Sequence, residues 1–221
     1  MSPRPVRALA AALALTTAAA IGWTALATPA AAQRAARQPQ AEAFIATQAA
    51  RALAILGDRS LPLARKQALF RGFVDEAVDV PRISTFVLGR YARGLRPAQR
   101  AEFQALFREY ASNLYEARLG DYRGERLQVT GSVARSPSDV VVSSRIEGGQ
   151  LQQPETVRWR LARSGAGARS NWRVVDIEIR GVWLAVVQQQ DYVSTLDAAR
   201  GDLSVLMNQL RQEIARQERR G

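Results

Sequence analysis

The chain has 221 residues, carries a formal net charge of +11, and contains neither cysteine nor histidine. Disulfides, thiol nucleophiles, Ser-His-Asp triads and imidazole-ligated metal sites are therefore excluded, and the length suits one domain, or one domain behind a leader. Of the 31 basic residues only Lys66 is lysine, so the charge reflects a compositional bias towards arginine as much as a partner; scattered arginines favour anionic head groups or acidic protein faces, and no nucleic acid is expected.

The first 32 residues have the parts of a secretory leader. Arg4 and Arg7 form a positive start, Ala8 to Ala27 is an alanine-rich apolar core, and Ala30-Ala31-Ala32 offers a small-residue cleavage site before Gln33. A stretch of about 20 apolar residues is also long enough for an uncleaved anchor. Thr16, Thr17, Gly22, Thr24 and the cleavage site weigh against that alternative. The expected organisation is a Sec signal peptide over 1–32, a flexible mature start over 33–40, one domain over 41–216, and a frayed tail over 217–221.

Within that domain, Ile45, Ala49, Ala52, Leu53 and Leu56 share one face of a helix over 41–56, with Gly57 as its stop. Pro62 opens a second helix carrying Leu63, Leu69, Phe70, Phe73 and Val74. Asp79 is placed to cap a third, short and apolar (Ile83, Phe86, Val87, Leu88), which Gly89 ends. A Gly-containing loop leads to Pro97 and the longest helix, to about Leu119, striped by Phe103, Leu106, Phe107, Tyr110 and Leu114.

The period then changes from helical to alternating. Leu127/Val129/Val133, Val140/Val142/Ile146, Val157/Trp159/Leu161 and Trp172/Val174 mark four strands. The segments Arg135–Ser138, Gly148-Gly149 and Ser164–Gly167 separate them, giving an antiparallel meander. The slip from Trp172/Val174 to Val175/Ile177/Ile179 fits a bulge. Helices return over Val182–Ala199 and over Asp202 to about Arg216, the second capped by Asp202. Helices, strands, then helices make an α+β fold with helices on one sheet face.

Catalysis would have to rest on carboxylates. Asp75, Glu76 and Asp79 form the densest group, best explained as a solvated turn and a cap; Asp176 and Glu178 share a strand face, where Arg158 and Arg160 are available as partners. No dinucleotide or P-loop glycine pattern occurs. No catalytic residue, metal site or cofactor is expected.

The segment Asp79 to Phe103, DVPRISTFVLGRYARGLRPAQRAEF, resembles the signature of the Mla-type periplasmic phospholipid-binding proteins, the MlaC or toluene-tolerance family, which runs R-F-V-L-G-R-Y and then T-P-E-Q-R-x-E-F. Trp159-Arg160-Leu161 is similar to that family's W-R-L strand, and Trp172 to Asp176 to its W-x-V-x-D strand. Arg180-Gly181-Val182 aligns with E-G-V-S, and Gln188 to Tyr192 stands where the family has Q-R-x-x-F. Three departures stand out. Arg96 replaces the Thr that caps the long helix, implying a cap weaker by about 1 kcal/mol; Arg180 reverses an acid; and Trp183 replaces a small Ser.

The resemblance implies a curved four-stranded sheet packed against several helices around a deep apolar cavity that takes the acyl chains of a glycerophospholipid. It implies passage between an inner-membrane ABC-type lipid transporter and an outer-membrane lipoprotein/porin complex. Wall candidates are Ile83, Phe86, Val87, Val142, Val157, Trp159, Val182 and Leu184, each equally a candidate for ordinary core packing. Arg90, Tyr91 and Trp183 are candidates for the cavity mouth, where an arginine can meet a phosphate. The alternatives are the same fold carrying a hopanoid or other apolar molecule, a cone-fold hydrolase or isomerase, and an arginine-rich module for anionic envelope surfaces.

Overall fold

Asp79 opens a short helix, as its place in the sequence predicts. Its carboxylate accepts a hydrogen bond from the Arg82 amide at 3.1 Å, capping a helix over Val80–Val87 with Pro81 in the first turn. The computed structural model describes residues 37–116, 122–164 and 171–219, all within one compact unit, Ala35–Gly221. The expected leader, the end of the long helix near Leu119, and Gly165 to Gly167 of the last strand turn lie outside the described residues.

The helices are α1 (Pro39–Gly57), α2 (Leu63–Ala77), α3 (Val80–Val87), α4 (Pro97–Glu116), α5 (Leu184–Ala198) and α6 (Leu203–Glu218). α1 begins two residues earlier than expected because Pro39 sits in its first turn, where a missing N–H costs nothing. α6 continues through 217–218, part of the tail read as frayed. The expected loop after Gly89 is a 3-10 turn over Gly89–Gly94. Gly89 has φ +53, and a Cβ there would lie 2.9 Å from Val193 Cγ2, so the tight exit from α3 against α5 admits only glycine. At the start of α4, the Arg96 amide donates to Gln99 Oε1 at 3.1 Å, the half of a capping box that does not need the absent threonine hydroxyl.

The strands are β1 (Arg126–Ser136), β2 (Asp139–Glu147), β3 (Glu155–Ser164), β4 (Asn171–Ile179) and β5 (Val182–Trp183), in the order β1-β2-β3-β4-β5. All pairings are antiparallel. The expected bulge is present: Arg160 pairs with Asp176 but Leu161 with Val174, leaving Val175 extra. The sheet has five strands rather than four, and the fifth helix starts at Leu184 rather than Val182. Arg180 and Gly181 both take positive φ (53 and 82), as a two-residue hairpin loop requires, and this turns Val182 back onto Ile179 and Trp183 onto Glu178.

Two separate cores result. α3 to α6 close around Phe103, Leu88, Leu196 and Leu206, with the Phe103 ring 6.1 Å from Phe107 and edge-on to Tyr192 at 6.1 Å. The second core joins Ala41 and Ile45 of α1 to Val140, Val142, Leu161, Trp172 and Val174 of the sheet.

Asp176 links the two. Buried on β4, it accepts from the Ile177 amide at 2.8 Å and from the Ala185 amide in the first turn of α5 at 2.9 Å. Burial is the largest influence on this carboxyl and raises its pKa; the two amides act the other way. The folded state therefore holds the Asp176 proton more tightly than the unfolded chain. This group's contribution is fully present below the ordinary aspartate range and is lost as pH climbs through the raised folded value. Asp176→Asn retains an accepting oxygen and does not titrate. Chemical denaturation from about pH 4 to about pH 7 should show wild type losing stability relative to Asp176→Asn; parallel curves would refute this role for the carboxyl.

Candidate functional site

Residues paired across neighbouring strands lie on the same sheet face, so the register sorts every side chain. One row runs Val129, Ser144, Val157, Ile179, Val182; the next runs Ser132, Val142, Trp159, Ile177. This inner face carries the second core. Its opposite carries charge. Glu178, buried, receives both guanidinium branches of Arg158, and the Arg158 guanidinium lies 5.6 Å from the Trp183 ring. Arg160 donates to Asp139 at 3.2 and 2.8 Å rather than to Asp176. Hydrogen bonding to Arg160 holds the Asp139 carboxyl below the ordinary range.

α1 and α2 cover the inner face. At one end of α1 the Gln38 amide donates to Ser132 Oγ at 2.8 Å. At the other, the Tyr122 ring, ahead of β1, lies over Gly57. α1 therefore runs against the direction of β1. α2 returns beside it and hands the chain to β4, where the Asp79 amide donates to the Val174 carbonyl at 2.9 Å.

This cover is apolar but not closed. In α1 only Ala41 and Ile45 are fully buried, and in α2 only Ala77. Ala49, Ala52, Leu53 and Leu56 of α1 and Leu69, Phe70, Phe73 and Val74 of α2 remain half-buried. Leu127, Val129, Trp159, Ile177 and Ile179 of the inner face are half-buried too. An amphipathic helix in a finished core buries its stripe; here two stripes and part of a sheet face stop short of doing so.

Trp159 is fixed at the centre. Its indole N–H donates to Ser144 Oγ at 2.8 Å, and that hydroxyl donates to the Val157 carbonyl at 3.2 Å. Ser144 is fully buried. Ser144→Ala strands the indole donor and should cost about 1–3 kcal/mol in urea denaturation, with the Trp159 fluorescence shifted. An unchanged midpoint would mean water replaces the hydroxyl.

An open cleft of about 540 Å³ lies between α1, α2 and the neighbouring ends of β3 and β4. It is lined by Gln40, Phe44, Gln48, Glu76, Arg163, Asn171, Trp172 and Arg173. Of these only Glu76 is among the residues weighed for chemistry from the sequence, as part of a solvated turn, and Phe44 and Trp172 belong to the same inner-face cluster as Trp159.

The sequence candidates fall into three groups. Val142, Val157, Trp159 and Val182 share the inner face; Val142 and Val157 are buried, and Val182 is 46% exposed at the sheet edge. Ile83 and Val87 pack in the helical core, while Phe86 and Leu184 lie exposed beside it. Ile83 and Val87 thus belong to a different core from the inner-face set. Arg90 pairs with Asp197, which also accepts from the Tyr91 hydroxyl, so both tie the 3-10 turn to α5. Trp183 pairs with Glu178 and so sits on the charged sheet face, opposite the Val157–Val182 row. Asp75, Glu76 and Asp79 are accounted for by Arg108, Arg51 and the α3 cap. Among the described residues no group of three or more metal-ligating side chains occurs, and no helix is long and apolar enough to cross a membrane.

A curved five-stranded antiparallel sheet, covered on one face by a helix pair that leaves apolar side chains half-buried, makes this an α+β protein with an incompletely packed apolar layer. The chain belongs to the MlaC family, whose model, described as MlaC protein, matches residues 46–212. The same fold occurs in a phospholipid-binding protein from Ralstonia solanacearum solved in complex with a phospholipid. The two align with a TM-score of 0.70 and 24% identity, over 81% of this chain and 99% of that one.

Proposed function

We propose that this protein is a periplasmic carrier, not an enzyme, that holds a glycerophospholipid by its acyl chains between the α1–α2 pair and the inner sheet face. On this reading it passes the lipid between outer- and inner-membrane complexes of an ABC-type transport system. The observation that carries the reading is the half-buried apolar lining of α1, α2 and the rows through Trp159 and Val157. Membership of the MlaC family and the phospholipid held by the Ralstonia protein of the same fold support it.

The energetics require such a lining. Each methylene removed from water contributes roughly 0.8 kcal/mol, so a chain of about sixteen carbons costs about 12 kcal/mol to carry bare. β4 from Trp172 to Ile179 extends about 23 Å, against about 15 Å for one leaflet of a bilayer core. No catalytic group or cofactor is needed for holding a lipid, and direction is supplied by the complexes at either end.

Native mass spectrometry of protein purified from the periplasm without detergent, followed by lipid extraction, tests the reading. A stoichiometric adduct of phospholipid mass is expected. Protein that emerges empty and also refuses added phospholipid would overturn it.

A further inference from the structure

The turn between α1 and α2, running from Gly57 to Lys66, joins positive charge to exposed apolar surface. Leu63 is 55% exposed, the highest fraction among the large apolar side chains of the described residues. It lies seven residues before Phe70, on the same helical stripe, so the apolar side of α2 runs out to this tip. Arg59 and Arg65 are exposed, and their side chains make no ion pair or hydrogen bond among the described residues. The Lys66 ammonium donates to the Leu56 carbonyl at 3.0 Å, which ties the start of α2 to the end of α1. The turn's acid, Asp58, accepts from the Ser60 amide at 2.8 Å and from the Ser60 hydroxyl at 2.6 Å. Those bonds hold its carboxyl below the ordinary range. Three cations against one carboxylate leave the turn positive, and Pro62 with the Asp58–Ser60 bonds fixes its shape before anything docks.

An exposed apolar side chain flanked by free cations matches the interface of an anionic bilayer. The wedge enters the head-group layer and the cations meet lipid phosphates. A single turn is also narrower than the about 20–30 residues that each partner presents in a stable protein complex, so a lipid surface suits it better than a protein face. We propose that the α1–α2 turn is a membrane-contact tip, which docks on an anionic bilayer through Arg59, Arg65 and Lys66 with Leu63 set among the head groups. The tip adds direct contact with a lipid surface to the carrier reading and stands without it. On that reading, docking brings the helix pair over the inner sheet face against the bilayer that supplies or receives the lipid.

Vesicles of phosphatidylethanolamine with phosphatidylglycerol, and vesicles of phosphatidylcholine alone, are each sedimented with protein purified from the periplasm. Wild type should prefer the anionic vesicles by roughly tenfold or more, and raising the salt should release it. Arg59→Gln/Arg65→Gln should weaken that binding by roughly tenfold or more. Leu63→Ser should weaken it severalfold and leave its salt dependence unchanged. Arg93→Gln/Arg135→Gln removes the same charge from exposed positions on the 3-10 turn and β1, and should cost far less. Undiminished binding in either tip variant would overturn the proposal. So would equal losses in the two double variants, since net charge alone would then attract the protein. A wild type that ignores anionic vesicles would overturn it too, the result expected if the turn meets an acidic protein face instead. Native mass spectrometry separates this outcome from the fate of the carrier reading. Vesicle binding by protein that never holds a lipid sustains the tip and ends the carrier, and a lipid adduct on protein blind to vesicles does the reverse.

Discussion

Phe103→Ala should cost about 3–5 kcal/mol and lower the urea midpoint more than any substitution on the sheet. Phe103 is fully buried and stacks between Phe107 and the edge of Tyr192. Its ring is gripped by α4 on one side and α5 on the other, and helices pinned by the Gly89 exit and the Asp176 cap cannot collapse into the void. The net stability of a domain this size is only about 5–15 kcal/mol, so the variant should be marginal at physiological temperature. With no disulfide available to this chain, nothing covalent offsets the loss. A midpoint shift of less than about 1 kcal/mol would show that the helical core repacks freely.

Trp159→Glu should abolish the lipid adduct. The substitution sets an unpaired carboxylate among Val142, Val157 and Ile177, at a cost to any apolar ligand of about 3 kcal/mol or more, over a hundredfold in affinity. Val133→Glu is the matching control. It adds the same charge to the same sheet, but Val133 pairs with Val141 on the opposite face and is 50% exposed. Circular dichroism melts establish that both variants fold before they are compared by mass spectrometry. A folded Trp159→Glu protein that still carries lipid would move the binding wall away from the inner sheet face.

Local chemistry was legible in the sequence. Asp79 and Asp202 are the caps they promise to be, each accepting from a backbone amide of its helix. The slip in alternation after Val174 is a bulge. Strand count failed at Val182-Trp183 because two residues are too few to show a period, and their pairing depends on positive φ at Arg180, which a non-glycine residue does not announce. The grouping of the apolar candidates was only partly legible for a related reason. Apolar periodicity says that a side chain is covered, not by what, so Ile83 and Val87 of the helical core look the same as Val157 of the inner face. The cleft at Arg163 and Arg173 was invisible, since it is assembled from α1, α2, β3 and β4, which meet only once register and helix direction are fixed.

The uneven burial of the helices has a consequence for how the molecule breathes. Amide exchange reports local opening, and segments with few buried contacts open without the rest of the domain. α4, α5 and α6 surround fully buried side chains, whereas α1 beyond Ile45 and all of α2 before Ala77 have none. The helix pair over the inner face is therefore expected to exchange its amides ahead of the four-helix body, α3 to α6. On the proposed reading, a ligand seated between this pair and the sheet would raise the pair's protection selectively, coupling loading to the stability of two helices and not of the whole fold.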